Sequence, residues 1–451
     1  MRIGVNRIKR WIKNAAIMVA IAIGMTAVGT AQQQPAPASA APLTISTASA
    51  GEPYHLPPDK LAQAIALGRA RLILHFGTEF WEIAVLWLLL STGTVTRLGQ
   101  WTSSKSARNW LQAGIFSAIL AALVFVAVEL PVAAIGHAFS LHYAISIEAW
   151  PAWLLDQTKT LGLTVLIEAP LLTLAFMLQQ WNWSRRRYWL WFAAATIPIM
   201  LLGTFLLPPL IEPLFNEFEP LAQSHPALVV ELQRVVTRTG TSIPPDRMFL
   251  MKASEKSNGL NAYVTGIGAS KRIVVWDTTA DRMPTDEILF TFAHETGHYV
   301  LNHIPKGLFL AAAGMFALFW LVSRLASWLV RRRGSQWQIE SVASLPGLVV
   351  LLLTLSLLQT VTEPIENSIS RHFEHEADVY GQEAIHGLVP NPQKTAVAAF
   401  NALGEAYLDD PNPNPFLEFW TYDHPSIQTR AKFAAQYDPW ALGQQPQFFA
   451  K

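Results

Sequence analysis

The 451-residue chain contains no cysteine, so disulfide bonds and thiolate metal ligands are both excluded. Any metal ion would have to be held by histidine, aspartate or glutamate. Charged residues are also scarce, at 14% of the chain compared with about 25% in an average soluble domain. The net charge of +1 provides no field that would attract nucleic acid, and we expect no nucleic-acid partner. Hydrophobic residues make up 51% of the chain, which indicates a protein embedded in a lipid bilayer.

The N-terminus has the form of a secretory signal peptide. Residues 1–14 carry five basic side chains and no acidic one, residues 15–30 are apolar, and small residues occupy positions 29–31. The alternative is a retained first transmembrane helix, although the apolar stretch is short for a span of roughly 17–25 residues. We predict a signal peptide or first transmembrane helix over residues 1–31 and an extramembrane segment over residues 32–78.

Six further apolar stretches are long enough, the first only barely, to cross a hydrocarbon core of about 30 Å. They are residues 80–95, 111–135, 161–178, 189–210, 308–330 and 345–361. We predict a mainly α-helical, multi-pass membrane bundle with four spans in residues 79–210 and two in residues 307–362. Residues 211–306 and 363–451 are then the parts outside the membrane, where a small α+β domain is expected.

Basic residues mark one side of this bundle. They follow the first, third and fifth apolar stretches, at Arg97, Lys105 and Arg108, at residues 185–187 and at residues 331–333. Since positively charged short loops stay in the cytoplasm, these three loops are predicted to be cytoplasmic. Residues 211–306 and the chain after residue 362 then lie on the opposite side. Together with the bacterial form of the leader, this predicts a bacterial inner-membrane protein with its extramembrane domain outside the cytoplasm.

Residues 294–298 read His-Glu-Thr-Gly-His, in a segment whose apolar residues recur at helical spacing. Residues four apart face the same way on a helix, so His294 and His298 can both reach one zinc ion at about 2.0–2.1 Å. Glu295 lies beside them and can take a proton from a zinc-activated water. The alternative is a pair of half-buried histidines on an amphipathic helix. The motif predicts one Zn²⁺ per chain, with Glu295 as the catalytic base of a zincin-type domain.

The third ligand is predicted in a polar helical stretch after the sixth apolar segment. His303 is unsuitable, because a metzincin site would need glycine at position 301 and histidine at 304, where the chain has leucine and isoleucine. We interpret His303 as a polar residue at the end of its helix. Glu374 can complete a His₂Glu site and leave the fourth position open, unless its helix is simply a solvated, charged one. Asp378 can hydrogen-bond the outer nitrogen of a ligand histidine, for which His294 is the expected partner.

Two other functions fit parts of this pattern. A membrane transporter or scaffold with an inactive metal site would keep the spans without needing Glu295. An intramembrane site-2-type protease would place the motif within an apolar span, whereas charged residues flank it here, from Asp286 and Glu287 to Lys306. The pattern favours an integral-membrane zinc-dependent metalloendopeptidase whose motif lies at the surface end of a helix. Its expected partners are the lipid bilayer and a peptide or membrane-protein substrate.

Several motifs resemble the CAAX prenyl protease 1 family. They are HETGH at 294–298, SRHFEHEAD at 370–378, NAYVTG at 261–266, LPP at 56–58, KRIVVWDT at 271–278 and HP at 424–425. The resemblance implies helices around a large water-filled chamber within the membrane, a catalytic zinc at its edge, and the roles given above for Glu374 and Asp378. Members commonly have seven spans, and a retained leader would supply the seventh. The prenylated substrate is not expected here, because the predicted active site lies outside the cytoplasm.

Strands are predicted around residues 247–253, 260–265 and 272–278, with the last two forming a hairpin. By the family resemblance, Asn261, Ala262 and Tyr263 form an edge that pairs with an extended peptide substrate. The alternative is an ordinary structural hairpin.

Three residues near the motifs are expected to support catalysis. His424 is the candidate donor to the oxyanion, with Arg430 behind it, and each would equally serve as a helix cap or salt-bridge partner. Arg371 is expected to anchor the helix that carries Glu374.

Overall fold

The computed structural model describes residues 53–181 and 187–449. The predicted signal peptide or first span, residues 1–31, lies outside the described residues, as do residues 185 and 186 of one basic loop. In the described part, six helices are long and apolar enough to cross a membrane, and each overlaps one of the six predicted stretches. They are span 1 (Pro58–Ser91), span 2 (Asn109–His142), span 3 (Trp150–Gln180), span 4 (Tyr188–Phe205), span 5 (His303–Trp337) and span 6 (Leu345–Ala384). The predicted mainly α-helical, multi-pass fold is confirmed.

Spans 1 and 6 extend furthest beyond the predicted stretches. Span 1 begins at Pro58, so the predicted extramembrane segment is helical over its last part. Span 6 continues from its apolar first half through residues 370–378, the polar helical stretch that was predicted to follow the apolar segment. The apolar pattern of the sequence ends where the helix leaves the apolar layer. The backbone hydrogen bonds of the helix continue beyond that point. The segment with Glu374 is therefore a rigid extension of a membrane span.

The outer surfaces of the spans suit a bilayer. Large apolar side chains face outward, including Leu166, which is 70% exposed, and Phe309, which is 73% exposed. Within span 2, the π-helical turn Phe125–Glu129 lies just before Pro131, because proline cannot donate the regular backbone hydrogen bond. The enclosed chamber that the family resemblance implies stays a prediction.

The two ends of the bundle differ in what they contact. At one end, the short helix Thr94–Lys105 after span 1 meets the end of span 5, where the Thr96 hydroxyl donates to the Trp337 carbonyl. Gln180, at the end of span 3, donates to the carbonyl of Ala343 between spans 5 and 6. The helix that follows span 1, the end of span 3 and the end of span 5 thus lie at the same end of the bundle.

The opposite end carries the extramembrane domain. The loop between spans 2 and 3 pairs with it: Ile147 donates to Lys256 and Asn258 donates back to Ile145. Its four-stranded sheet has the order β1 (Phe218–Pro220), β2 (Met248–Met251), β4 (Arg272–Trp276) and β3 (Ala262–Thr265). Strands β2 and β4 are parallel, and the other two pairs are antiparallel. The predicted hairpin is therefore β3–β4, with β3 at the edge of the sheet.

Helices surround this sheet and complete the domain. The helix that carries the HETGH sequence, called the motif helix below, is Thr285–Val300. The others are Leu207–Ile211, Leu221–Ser224, Pro226–Thr239, Asp277–Arg282, Pro392–Tyr407, Pro415–Thr421 and Ile427–Gln436.

The two largest hydrophobic cores of the described chain lie in the bundle and in the domain, and span 6 belongs to both. Leu348 and Val349 are fully buried in the bundle core. Tyr380 and Ala384, near the other end of the same helix, are buried in the domain core with Phe292 of the motif helix. Burying such side chains contributes roughly 1.5–3 kcal/mol each. Span 6 is thus held at both ends, which fixes the position of its polar middle turns.

Candidate metal centre

Three buried side chains converge where the motif helix crosses span 6: His294, His298 and Glu374. The two imidazole Nε2 atoms are 3.2 Å apart. The Glu374 carboxylate lies 3.3 Å from His294 Nε2 through one oxygen and 3.6 Å from His298 Nε2 through the other. Ligand atoms bound tetrahedrally at about 2.0–2.1 Å would be roughly 3.3 Å from one another. The spacing of the three side chains therefore fits a single metal ion.

Glycines allow the two helices to approach this closely. A Cβ atom added to Gly381 of span 6 would lie 3.0 Å from the backbone nitrogen of His294. One added to Gly297 would lie 3.0 Å from the Tyr380 ring. Such contacts would push the helices apart, so the two glycines set the distance across which Glu374 reaches the imidazoles.

The charges around the ligands favour a cation between them. Burial lowers the pKa of His294, but its contacts with Asp378 and Glu374 outweigh burial and raise that pKa to about 10. Burial lowers the pKa of His298 to about 3. His298 is therefore neutral at pH 7, the form in which an imidazole can bind a metal, and the carboxylates stabilise positive charge at His294. A divalent ion bound at the centre would supply that positive charge instead of the proton.

Asp378 lies behind His294, as predicted. Its Oδ1 atom is 2.9 Å from His294 Nδ1, the ring nitrogen that points away from the candidate metal position. Arg430 binds the same carboxylate with two donors, Nε at 2.9 Å and Nη2 at 2.6 Å. The Arg430 guanidinium also stacks over Phe400, 4.6 Å from the ring centroid. Arg430 is therefore a salt-bridge partner of Asp378, the alternative that the sequence left open. Its Nη2 atom also lies 3.7 Å from Glu374 Oε2, and its predicted place behind His424 stays a prediction.

His303 also belongs to this centre, although the sequence analysis placed it at a helix end without a role. It is the first residue of span 5 and is 2% exposed. Its Nδ1 atom lies 3.1 Å from His298 Nδ1, and its Nε2 atom lies 3.0 Å from the carboxylate of Glu376. Its ring stacks on Phe373 with centroids 4.6 Å apart. Both candidate ligand histidines thus have a carboxylate behind them, directly for His294 and through His303 for His298.

His424 reaches the same place from the C-terminal part. Its Nε2 atom is 3.1 Å from Glu374 Oε2, and its Nδ1 atom is 2.9 Å from Asp423. Burial lowers the pKa of His424, but the charges of Glu374 and Asp423 outweigh burial and raise it. Arg371 donates to the carbonyls of Glu418 and Tyr422, so it ties span 6 to the segment that leads into His424.

Glu295 is half-buried beside the centre. Burial raises its pKa, the positive charge of His294 lowers it, and Glu374 raises it again. A glutamate in such surroundings binds a proton more readily than one in water, which suits a group that accepts a proton during a reaction.

The edge strand β3 lies next to the motif helix. The predicted peptide-binding residues are half-buried Asn261, buried Ala262 and half-buried Tyr263. The Asn261 backbone is hydrogen-bonded to Thr279 and Trp276. The side chain of Tyr263 interacts with Glu212. The Asn261 backbone and the Tyr263 side chain are thus engaged within the domain, and what β3 could offer to a peptide is its outer backbone edge.

Comparison with known proteins gives consistent results over the two parts of the chain. Residues 221–438 match the family model for peptidase family M48. Residues 52–217 match the model described as the CAAX prenyl protease N-terminal region with five membrane helices. The uncharacterized metalloprotease YhfN of Bacillus subtilis is 32% identical over 398 residues, which cover 88% of this chain and 90% of that protein.

More distant relatives carry a functional name. CAAX prenyl protease 1 of Saccharomyces cerevisiae is 27% identical over 62% of each chain. The crystal structure of S. mikatae Ste24p superposes with a TM-score of 0.70 and 22% identity, over 84% of this chain and 91% of that one. These matches confirm the predicted family resemblance, the fold, and a membrane metalloprotease rather than a transporter or inert scaffold.

Proposed function

Because this chain belongs to peptidase family M48 and is a multi-pass membrane metalloprotease, we propose that it is an endopeptidase whose metal is zinc. The observation that carries the proposal is the buried trio of His294, His298 and Glu374, whose ligand atoms are 3.2–3.6 Å apart. Two imidazoles and one carboxylate are a typical donor set of catalytic zinc in proteases. Zinc bound there would polarise the scissile carbonyl and lower the pKa of the attacking water.

The residues around the trio take distinct parts in peptide hydrolysis. Glu295 accepts the proton of the attacking water and passes it to the leaving amine. His424 donates a hydrogen bond to the carbonyl oxygen as it gains negative charge, an effect worth about 3–4 kcal/mol in well-studied proteases. Asp378 and Arg371 position reacting groups without touching the substrate, the first through His294 and the second through the segment before His424.

The outer contacts determine which nitrogen of each histidine carries a proton. With Nε2 facing the metal, neutral His298 carries its proton on Nδ1 and donates it to Nδ1 of His303. His303 must then carry its own proton on Nε2 and donate it to Glu376. Such contacts hold the imidazole rings in the ligating orientation and raise their basicity. His303 and Glu376 are therefore proposed as positioning residues for His298.

The substrate is proposed to be an extended peptide that adds to the edge of the sheet at β3. Residues 261–263 precede or begin this strand, and β4 covers its other edge. Main-chain hydrogen bonds to an edge strand give affinity with little dependence on side chains. The prenylated substrate that the name of the yeast relative implies is not proposed, because the active site is proposed to lie outside the cytoplasm.

We propose a location in the bacterial inner membrane, with the active site on the extracytoplasmic side. The helix that follows span 1 and the ends of spans 3 and 5 lie together at one end of the bundle, and the proposed metal centre lies at the other. The described part of the first group carries Arg97, Lys105 and Arg108, and short basic loops remain in the cytoplasm.

The absence of cysteine allows a direct topology test with single-cysteine variants of the native chain. Ser242 lies in the extramembrane domain and Ser104 follows span 1, and both are exposed. An impermeant maleimide should label Ser242→Cys in intact spheroplasts and Ser104→Cys only after lysis. The reverse pattern would overturn the orientation and return a cytosolic substrate to consideration.

The catalytic proposal is tested with purified protein and a quenched peptide, before and after chelation and zinc re-addition. Glu295→Gln should retain zinc and lose at least about a hundredfold in turnover, the lower range for a general base. Glu287→Gln is the matched control, because it changes a buried glutamate two turns earlier on the same helix. Full turnover by Glu295→Gln, or equal loss in both variants, would refute the assigned base.

A further inference from the structure

A second group of metal-ligating side chains lies outside the centre described above. His75 and Glu79 come from span 1 and Glu363 comes from span 6, and one ligand atom of each lies within 4.8 Å of the others. His75 Nε2 is 3.2 Å from Glu363 Oε2. We propose that these three residues form a second binding site for a divalent transition-metal cation such as Zn²⁺.

The arrangement repeats that of the catalytic centre. His75 and Glu79 are four residues apart on one helix, as are His294 and His298, so both side chains of each pair face the same way. The third residue of both groups is a glutamate of span 6. Glu363 precedes Glu374 by eleven residues, about three helical turns, so it lies on nearly the same face and roughly 16 Å away along the helix axis.

The position of the second group suits an ion that enters from water. Residues 80–95 and 345–361 are the apolar stretches of the two helices, and all three side chains lie just beyond them on the side of the extramembrane domain. Glu79 is 8% exposed, while the side chains of His75 and Glu363 are 15% and 11% exposed. A donor set that is nearly buried but still reached by solvent leaves room for a water ligand in the remaining coordination position.

The charges of the group also call for a cation. Two carboxylates are brought together with one imidazole, and like charges within about 4–6 Å repel each other. The His75–Glu363 pair alone would be enough to join spans 1 and 6. The additional carboxylate of Glu79 adds a negative charge to the group, which a bound cation would neutralise. One imidazole nitrogen and two carboxylate oxygens form a set that suits Zn²⁺ and, with more oxygen ligands, Mn²⁺. Bound there, the ion would cross-link span 1 to the helix that supplies Glu374.

The proposal is tested by counting zinc in purified, full-length protein after chelator stripping, zinc titration and desalting. The wild type should hold two ions per chain, and Glu363→Gln should hold one. His294→Ala/His298→Ala should also hold one, and the combined variant none. Glu366→Gln, an exposed glutamate three residues further along the same helix, is the matched control and should hold two. Anomalous scattering at the zinc edge should place the extra ion between spans 1 and 6.

Two safeguards separate this proposal from failures of other kinds. Glu363→Gln must still cleave the test peptide, which shows that the chain folds and that the catalytic centre is filled. If Glu363→Gln is inactive, His75→Gln is used in its place. One ion in the wild type and none in the variant without the catalytic histidines would overturn the second site. That outcome would leave the proposed peptidase intact, and the group would then be a protein-only charge network.

Discussion

The replacement Asp378→Asn should weaken zinc binding at the catalytic centre without removing any proposed ligand. Asp378 is 3% exposed, and its carboxylate lies 2.9 Å from His294 Nδ1. Asparagine keeps the shape and an acceptor oxygen but removes the negative charge that stabilises positive charge at His294. Loss of such a carboxylate behind a ligand histidine typically costs 10–100-fold in metal affinity. At 1.4 kcal/mol for each factor of ten, the expected loss is about 1.4–2.8 kcal/mol.

A second effect of the same replacement concerns folding rather than zinc. Arg430 is 8% exposed and loses the carboxylate to which it donates two hydrogen bonds. Leaving one partner of a buried ion pair alone costs roughly 3–5 kcal/mol, part of which the asparagine oxygen should offset. Arg430→Met is the variant for comparison. It breaks the same Arg430–Asp378 ion pair and so also destabilises the fold, but it removes a positive charge, not a negative one, near the metal position. Its zinc affinity should be unchanged or higher.

Chelator competition measures these affinities, and thermal unfolding of the same samples measures stability. Titrations in the Glu363→Gln background restrict the signal to the catalytic centre. Glu212→Gln is the matched control, because it also neutralises a buried carboxylate paired with an arginine, Arg272. Equal losses of zinc affinity in Asp378→Asn and Arg430→Met would refute the electrostatic reasoning. They would indicate that disturbed packing, not charge, determines binding.

Three further changes test other contacts. His303→Ala should weaken zinc binding by about tenfold, and His303→Gln should restore part of it by supplying an acceptor to His298, as chelator competition will show. Gly381→Ala should lower the unfolding temperature, equivalent to about 1–3 kcal/mol, and weaken zinc binding, because the added Cβ meets backbone rather than a movable side chain. Burial, together with the charge of Asp286, raises the pKa of Glu287 to about 7. Protonation of Glu287 therefore stabilises the folded chain. This stabilisation is complete below about pH 4.5, the pKa expected for the unfolded chain, and is lost as pH rises through about 7. Unfolding temperatures of the wild type should fall over that window relative to Glu287→Gln, and parallel curves would contradict the shift.

The sequence predicted best what depends on periodicity and local spacing. The six apolar stretches reappear as six helices of span length in the described chain, and the HETGH motif lies on a helix with both histidines on one side. The hairpin of β3 and β4 was also predicted, since its turn residues are local. The sequence did not show that the stretch with Glu374 continues the helix of the sixth span, because a change from apolar to polar residues marks the membrane boundary and not the end of a helix.

The partners of His303 and Arg430 could not be predicted, because each contact joins segments whose separation in sequence carries no spacing rule. The residues at positions 301 and 304 argue against His303 as a metzincin-type ligand. They could not show that the start of span 5 turns His303 back against His298, or that Glu376, two residues after Glu374, points to its other nitrogen. One available signal was that a histidine ligand usually has an outer partner. Asp378 was predicted to hydrogen-bond only His294, so no outer partner was predicted for His298. His303 and Glu376, which lie close to the two motifs in the sequence, were candidates for that partner.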